Sequence, residues 1–261
     1  MFPACMYKTE DMKNILKTYA NTIYEGLEPE FASLIKCYSW PKDSPPNIED
    51  TIKLRASMAR RWNLDPEATA VAAVEWGGLV YNRNARNKEF SYGDPREIVE
   101  RTCRTRSNWG MATWTKILAV RDPNRYFIFD ARVSLALNQY CADKEYPFDF
   151  FFPELSSRSK ERNYAQRLAI EKLDKLGAKP FSSCSSFYFD FYCPLIIALA
   201  NKLSSDSKIP VIVFNENQLI NDVRESNIIN LGFDILPHFV EMALFMKGGD
   251  AISIAHSVVN K

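Results

Sequence analysis

The sequence predicts a mostly α-helical fold with at most a minor β element. Three observations carry this expectation. Apolar residues recur at intervals of three and four through most of the chain. Asp, Ser or Thr, in places followed by Pro, stands where such runs begin, and Gly closes several of them. Thr9 to Leu27 is the first helix: Met12, Ile15, Leu16, Tyr19 and Ile23 share a face, Thr9 caps the start, and Gly26 marks the end. A Pro-rich connector, Pro41 to Pro46, leads to a second helix from about Ile48 to Trp62, stopped at Asn63. Asp65-Pro66 then opens an Ala-rich helix, Glu67 to Leu79, that ends at Gly77-Gly78. The polar stretch from Tyr81 to Lys88 is an exposed loop.

Asp94-Pro95 caps a helix that runs to about Thr105, and Ser107-Asn108-Trp109-Gly110 breaks it before a second helix, Met111 to Val120. Asp122-Pro123-Asn124-Arg125 is a turn, Tyr126 to Phe129 a short extended apolar piece, and Asp130 begins a helix carrying Val133, Leu137 and Tyr140 at helical period. Asn163 to Leu176, closed by Gly177, is a further helix, and Phe187 to Leu203 a buried one. Val211 to Phe214, behind Pro210, is the minor strand, and Leu236 to Met246 a last helix ended by Gly248-Gly249. The expected organisation is a helical core over residues 1–204 with a helical extension, 205–261, packed on it. No internal repeat is present.

With 261 residues, 46% of them hydrophobic, the chain has ample material for a core, and its composition excludes disorder, collagen and coiled coil. No apolar run reaches the roughly 18–20 residues of a membrane span, and the N-terminus lacks the layout of a signal peptide, so no membrane partner and a cytoplasmic location are expected. The six cysteines are scattered without a CxxC pair or a nearby His, so no metal site is expected. Only His238 and His256 are available as imidazole bases, neither beside a nucleophile, which argues against a Ser-His-Asp hydrolase. GxGxxG and GxxxxGK[ST] are both absent, so no nucleotide cofactor is implied.

Net charge is only +1, yet it is segregated. Arg83 to Arg121 holds nine Lys/Arg against four Asp/Glu, Leu155 to Lys179 seven against three, and Asp206 to Asp250 three against seven. One face can meet a polyanion, although solvated helix faces would give the same pattern.

The stretch from Arg104 to Val133 contains helix, tight glycine turn, helix, turn, extended residues and an Asp opening a helix. That order resembles the helix-hairpin-helix DNA glycosylases, in particular the branch with the eight-oxoguanine glycosylase fold, closely over about thirty residues and loosely over residues 48–204. The resemblance implies that the hairpin, part of residues 98–121, grips a DNA phosphate and that the helix from 130 is the catalytic one. Independently, amides at a helix N-terminus suit an anion, and Gly110, Met111 and Ala112 would supply them, with Asn108, Trp109 and Arg132 beside the same DNA. An ordinary αα-hairpin would have the same sequence pattern.

Asp130 carries the chemistry. Breaking an N-glycosidic bond builds positive charge on the sugar, which an ionised carboxylate stabilises while orienting water. A plain N-cap looks the same. The hairpin departs from the two-glycine form, and Met111 or Ala112 stands where the family's bifunctional members hold a nucleophilic lysine. This implies hydrolysis without strand cleavage, with Lys116 as the one displaced amine that could act as nucleophile. The loop with Asn82, Arg83, Asn84 and Arg86 is similar to the family's wedge loop, which fills the gap left by an extruded base; as a polar loop it needs no such role. Trp76, Phe187, Asp190 and Tyr192 are candidates for the base pocket, core packing being the alternative for the aromatic run. The expected protein is thus a monomeric, monofunctional DNA glycosylase without cofactor, acting on a modified or damaged base in double-stranded DNA for base excision, possible substrates including a modified cytosine met in phage defence. The alternatives are a non-catalytic helix-hairpin-helix DNA-binding protein and a protein-interaction domain for an acidic partner.

Overall fold

Eight helices and one two-stranded sheet make up the described residues of the computed structural model, which are 9–38, 48–77, 111–144, 148–155, 157–181, 187–205 and 236–259. The helices are α1 (Thr9–Lys36), α2 (Ile48–Trp62), α3 (Pro66–Trp76), α4 (Met111–Arg121), α5 (Ala131–Asp143), α6 (Lys160–Lys175), α7 (Phe187–Ser205) and α8 (Leu236–Val259). Strand β1 (Phe150–Phe151) pairs in parallel with β2 (Lys179–Pro180), Phe150 opposite Lys179. The fold is mostly α, as predicted. The helix at 94–105, the turn at 107–110 and the strand at 211–214 lie outside the described residues.

Local chemistry accounts for most boundaries. Asp65 caps α3 by accepting the Ala68 N–H at 3.0 Å, and Pro66 occupies the first helical position, where no donor is lost. Helix α6 starts at Lys160, three residues earlier than predicted, because Ser159 Oγ accepts the Arg162 N–H at 3.1 Å. Gly177, at φ +95°, ends it: the Gly177 N–H reaches Asp174 O and the Ala178 N–H reaches Leu173 O, satisfying two last-turn carbonyls.

Two predicted stops are not stops. Helix α1 continues through Gly26 and Pro29 to Lys36, and its second half buries Leu27, Phe31, Leu34 and Ile35. Gly26 is there for close approach: a Cβ on it would lie 2.5 Å from Cδ1 of Tyr140. Helix α8 likewise runs through Gly248 and Gly249, because a Cβ on Gly248 would overlap the main chain of Arg132, only 2.6 Å from its carbonyl carbon.

Helices α2, α3 and α4 pack on one another, while α8 lies against α1, α5, α6 and α7. One cluster of buried apolar side chains joins all eight, from Tyr19 and Ile52 to Leu195 and Val240. The described part of the C-terminal extension, α8, therefore supplies core residues, among them Val240, Met242 and Leu244. The chain crosses from one group of helices to the other between α4 and α5, and Asp130 sits at that crossing.

Candidate active site

The residues just before Asp130 have no regular structure, yet their backbone is held by side chains from three helices. Glu241 Oε2 on α8 accepts the Ile128 N–H at 2.9 Å, and Tyr192 on α7 donates its hydroxyl to Ile128 O at 2.7 Å. Thr115 Oγ1 on α4 both accepts the Phe129 N–H and donates to Phe129 O, each at 3.2 Å. Phe127, Ile128 and Phe129 are buried, so these bonds replace water that the segment cannot reach. On the upstream side, the Asp122 turn closes with the Arg125 and Tyr126 amides on Asp122 O, as predicted.

Asp130 follows this clamp as the N-cap of α5. Its Oδ1 accepts the Arg132 N–H at 2.9 Å and the Val133 N–H at 3.1 Å. Both bonds fall on one oxygen, and among the described residues Oδ2 accepts none. The residue is half-buried at the first turn of the helix, where the dipole favours a carboxylate. The cap matches the sequence expectation.

Lys116 lies on α4, next to Thr115, and is 3% exposed. Its Nζ donates to Ala112 O, one turn back, at 3.0 Å. The alkyl chain crosses the end of α3 at Gly77, where a Cβ would come within 2.6 Å of Lys116 Cε. Burial lowers the pKa of the amine, an effect that the carboxylates of Asp130 and Glu241 oppose and the guanidinium groups of Arg55 and Arg132 reinforce. Asp130 and Lys116 thus share one electrostatic environment, without an ion pair between them.

Behind the clamp lies a buried polar network that the sequence reading missed. Arg55 on α2 forks onto Glu241, Nη2 to Oε1 at 2.5 Å and Nη1 to Oε2 at 3.1 Å. Arg55 Nη1 also lies 2.9 Å from His238 Nδ1, and His238 Nε2 lies 2.9 Å from Pro123 O. A carbonyl can only accept, so Nε2 carries the proton and Nδ1 accepts from Arg55. Burial pushes the His238 pKa well below 6.5, and the Arg55 charge pushes it further. A lone Glu inside the apolar run Phe239-Val240-Glu241-Met242-Ala243 was the sequence signal that a buried partner existed.

Two arginines belong to the surroundings of Asp130: Arg132 follows it by two residues, and Arg162 feels its charge. Arg132 is half-buried, with its guanidinium 4.2 Å from the centroid of the Phe245 ring. Arg162, in the first turn of α6, donates from Nη1 to Ser157 Oγ at 2.6 Å, and its Nε is buried without a partner. Of the other predicted site residues, Met111 is buried and Ala112 half-buried at the start of α4. Trp76 is buried, with the Arg55 guanidinium 5.2 Å from its ring. Tyr192, expected in a base pocket, is instead a core residue whose hydroxyl serves Ile128. Asp190 is exposed at the start of α7, and neighbouring Phe191 packs on Tyr19 and Phe150. Asn82, Arg83, Asn84, Arg86, Asn108, Trp109 and Gly110 lie outside the described residues, as does the side chain of Phe187.

No protein-family model, curated protein or solved structure matches this chain significantly. Among the described residues no group of three or more His, Cys, Asp and Glu is placed to hold a metal ion, and no helix is long and apolar enough to cross a membrane.

Proposed function

We propose that the chain is a monofunctional DNA glycosylase that extrudes a modified or damaged base from duplex DNA and hydrolyses its N-glycosidic bond, with Asp130 as the catalytic carboxylate. The observation that carries this reading is the division of labour within one side chain. Oδ1 is fixed by two helix amides, while Oδ2 accepts no bond among the described residues and is available for chemistry. As the bond between C1′ and the base nitrogen breaks, the electron pair leaves with the base and positive charge gathers on the sugar; Oδ2 stabilises that charge and orients the water whose oxygen bonds C1′. The water gives up a proton to solvent, the departing base takes one up, and an abasic site remains. Lys116 is closed off from solvent with its Nζ on Ala112 O, which supports hydrolysis over attack by an amine. The chain acts as a monomer on double-stranded DNA, and a modified cytosine of the kind carried by phage DNA is among the substrates this reading admits.

The test is incubation with genomic DNAs of different modification status, followed by mass detection of free bases and assay for alkali-labile sites. Wild type should release one base species, and Asp130→Asn should bind the same DNA without releasing it. Binding with no base release from either protein would mark a DNA-binding module. A complex indifferent to salt would point to a protein partner instead.

A further inference from the structure

Arg132 and Arg162 come from two helices that pack on each other, and the charge of Arg132 is felt at Arg162. Arg132 lies in the first turn of α5, two residues past Asp130, and Arg162 in the first turn of α6. The two helices are fastened just behind them: Gln166, one turn after Arg162, donates from Nε2 to Ser134 Oγ at 3.0 Å, and Ser134, two residues after Arg132, donates in turn to Pro153 O at 2.7 Å. Leu135 and Ala165 form a small apolar contact between the same helices. Phe245 on α8 supports the Arg132 guanidinium from below, and Ser157 holds one nitrogen of Arg162.

Two cations arranged in this way repel each other. The charge on Arg132 adds to burial in lowering the pKa of Arg162, while Asp130 and Glu161 act in the opposite direction. Neither arginine belongs to an ion pair among the described residues, although both are only half-buried and can be reached from solvent. The buried Arg55, by contrast, is paired with Glu241. A guanidinium has five donors; the bond from Arg162 Nη1 to Ser157 leaves most of them without an acceptor among the described residues, including the buried Nε. Like charges in the first turns of two packed helices, with donors to spare, favour a ligand that brings two or more negative oxygens.

We propose that Arg162 joins Arg132 in a two-arginine clamp that takes a backbone phosphate of the DNA strand beside the nucleotide presented to Asp130. This rests on the DNA-acting reading above and adds to it a contact on α6, far in sequence from the hairpin. The clamp fixes the strand next to the carboxylate and neutralises the Arg132–Arg162 repulsion on binding. It reads no base, so its contribution is the same for every sequence.

The experiment is fluorescence anisotropy of the full chain on a labelled duplex containing a stable abasic-site analogue, across a salt series. Arg162→Gln should weaken binding and lower the slope of log affinity against log salt by about 1, as expected for one lost phosphate contact, and Arg132→Gln/Arg162→Gln by about 2. Arg162→Lys, which keeps the charge, should hold the slope near wild type and separate loss of charge from loss of fold. Lys172→Gln/Lys175→Gln, at the far end of α6, removes equal charge and should leave the slope unchanged. A slope unaltered in Arg162→Gln, or lowered equally by the far-end pair, overturns the clamp while leaving the glycosylase reading intact. Absence of any salt-dependent DNA binding by wild type overturns both.

Discussion

Glu241 accepts the main-chain N–H of Ile128 at 2.9 Å, two residues before Asp130, with the same oxygen that Arg55 contacts at 3.1 Å. A side chain on α8 therefore links a cation on α2 to the backbone that aims the carboxylate of Asp130. The pair is nearly dry, Arg55 at 2% and Glu241 at 3% exposure. In that setting the attraction of Glu241 overcomes the effect of burial, and the Arg55 pKa moves up from 12.5.

Breaking the pair strands a buried charge. Glu241→Ala is expected to cost about 3–5 kcal/mol, since it leaves Arg55 uncompensated and the Ile128 amide without its acceptor. Glu241→Gln should cost less because an amide oxygen still accepts from Ile128. Removing both charged partners with Arg55→Leu/Glu241→Leu should cost less than the sum of the single changes. Urea unfolding of these variants and of Arg55→Leu and Glu241→Leu alone checks the ranking, and additive losses would show that the two side chains act independently.

Stability should fall at mildly acidic pH because of His238. Its folded pKa is depressed by burial and by Arg55, so the folded state holds the ring neutral where the unfolded chain takes a proton. The contribution is complete above the unfolded value of 6.5 and is lost as pH falls from there toward the folded pKa. One such group gives a slope of at most about 1.4 kcal/mol per pH unit. Denaturation midpoints between pH 7.5 and 5 should fall in wild type and less in His238→Asn, which keeps a donor and an acceptor but does not titrate. Parallel profiles would exclude His238 as the origin.

Neighbouring glycines in α8 should respond with opposite signs. Gly248→Ala drives a methyl into the Arg132 main chain and is expected to destabilise by about 1–3 kcal/mol. The Arg132 N–H is one of the two amides on Asp130 Oδ1, so base release should fall as well. Gly249→Ala meets nothing nearer than Arg132 Nη1 at 3.5 Å, an ordinary contact, and gains up to about 1 kcal/mol from helix propensity. Thermal unfolding of the two variants decides it.

The same glycines show which parts of the fold were legible in the sequence. Helical periodicity and caps depend on residues three or four apart, and the bounds of α2, the start of α3 and the Asp130 cap follow from them. Gly26 and Gly248 look like stops because a stop is the local meaning of glycine; their actual neighbours, Tyr140 and Arg132, are more than a hundred residues away. The site divides in the same way. Asp130 is visible as a cap, whereas the Arg55–Glu241 bond spans 186 residues and has no local signature beyond an acid in an apolar run. Tyr192 was legible as a buried aromatic, but not as a donor to Ile128.

Lys116 supplies the sharpest check on the kind of chemistry. A buried amine bonded to a carbonyl of its own helix is costly in its charged form, and burial duly lowers its pKa. A depressed lysine pKa means that its stabilising contribution is complete only above 10.5 and is lost as pH falls from there toward the folded pKa. Lys116→Met, of similar length and apolar, should therefore stabilise the fold at pH 7 by about 1–4 kcal/mol, the range seen when buried ionic groups give way to hydrophobic ones. If the enzyme hydrolyses without a covalent intermediate, this variant should keep base release within a few-fold of wild type. Borohydride added during turnover should trap no protein–DNA adduct with either protein. A trapped adduct in wild type that disappears in Lys116→Met would identify the amine as the nucleophile, and the reaction would then be strand-cleaving rather than hydrolytic.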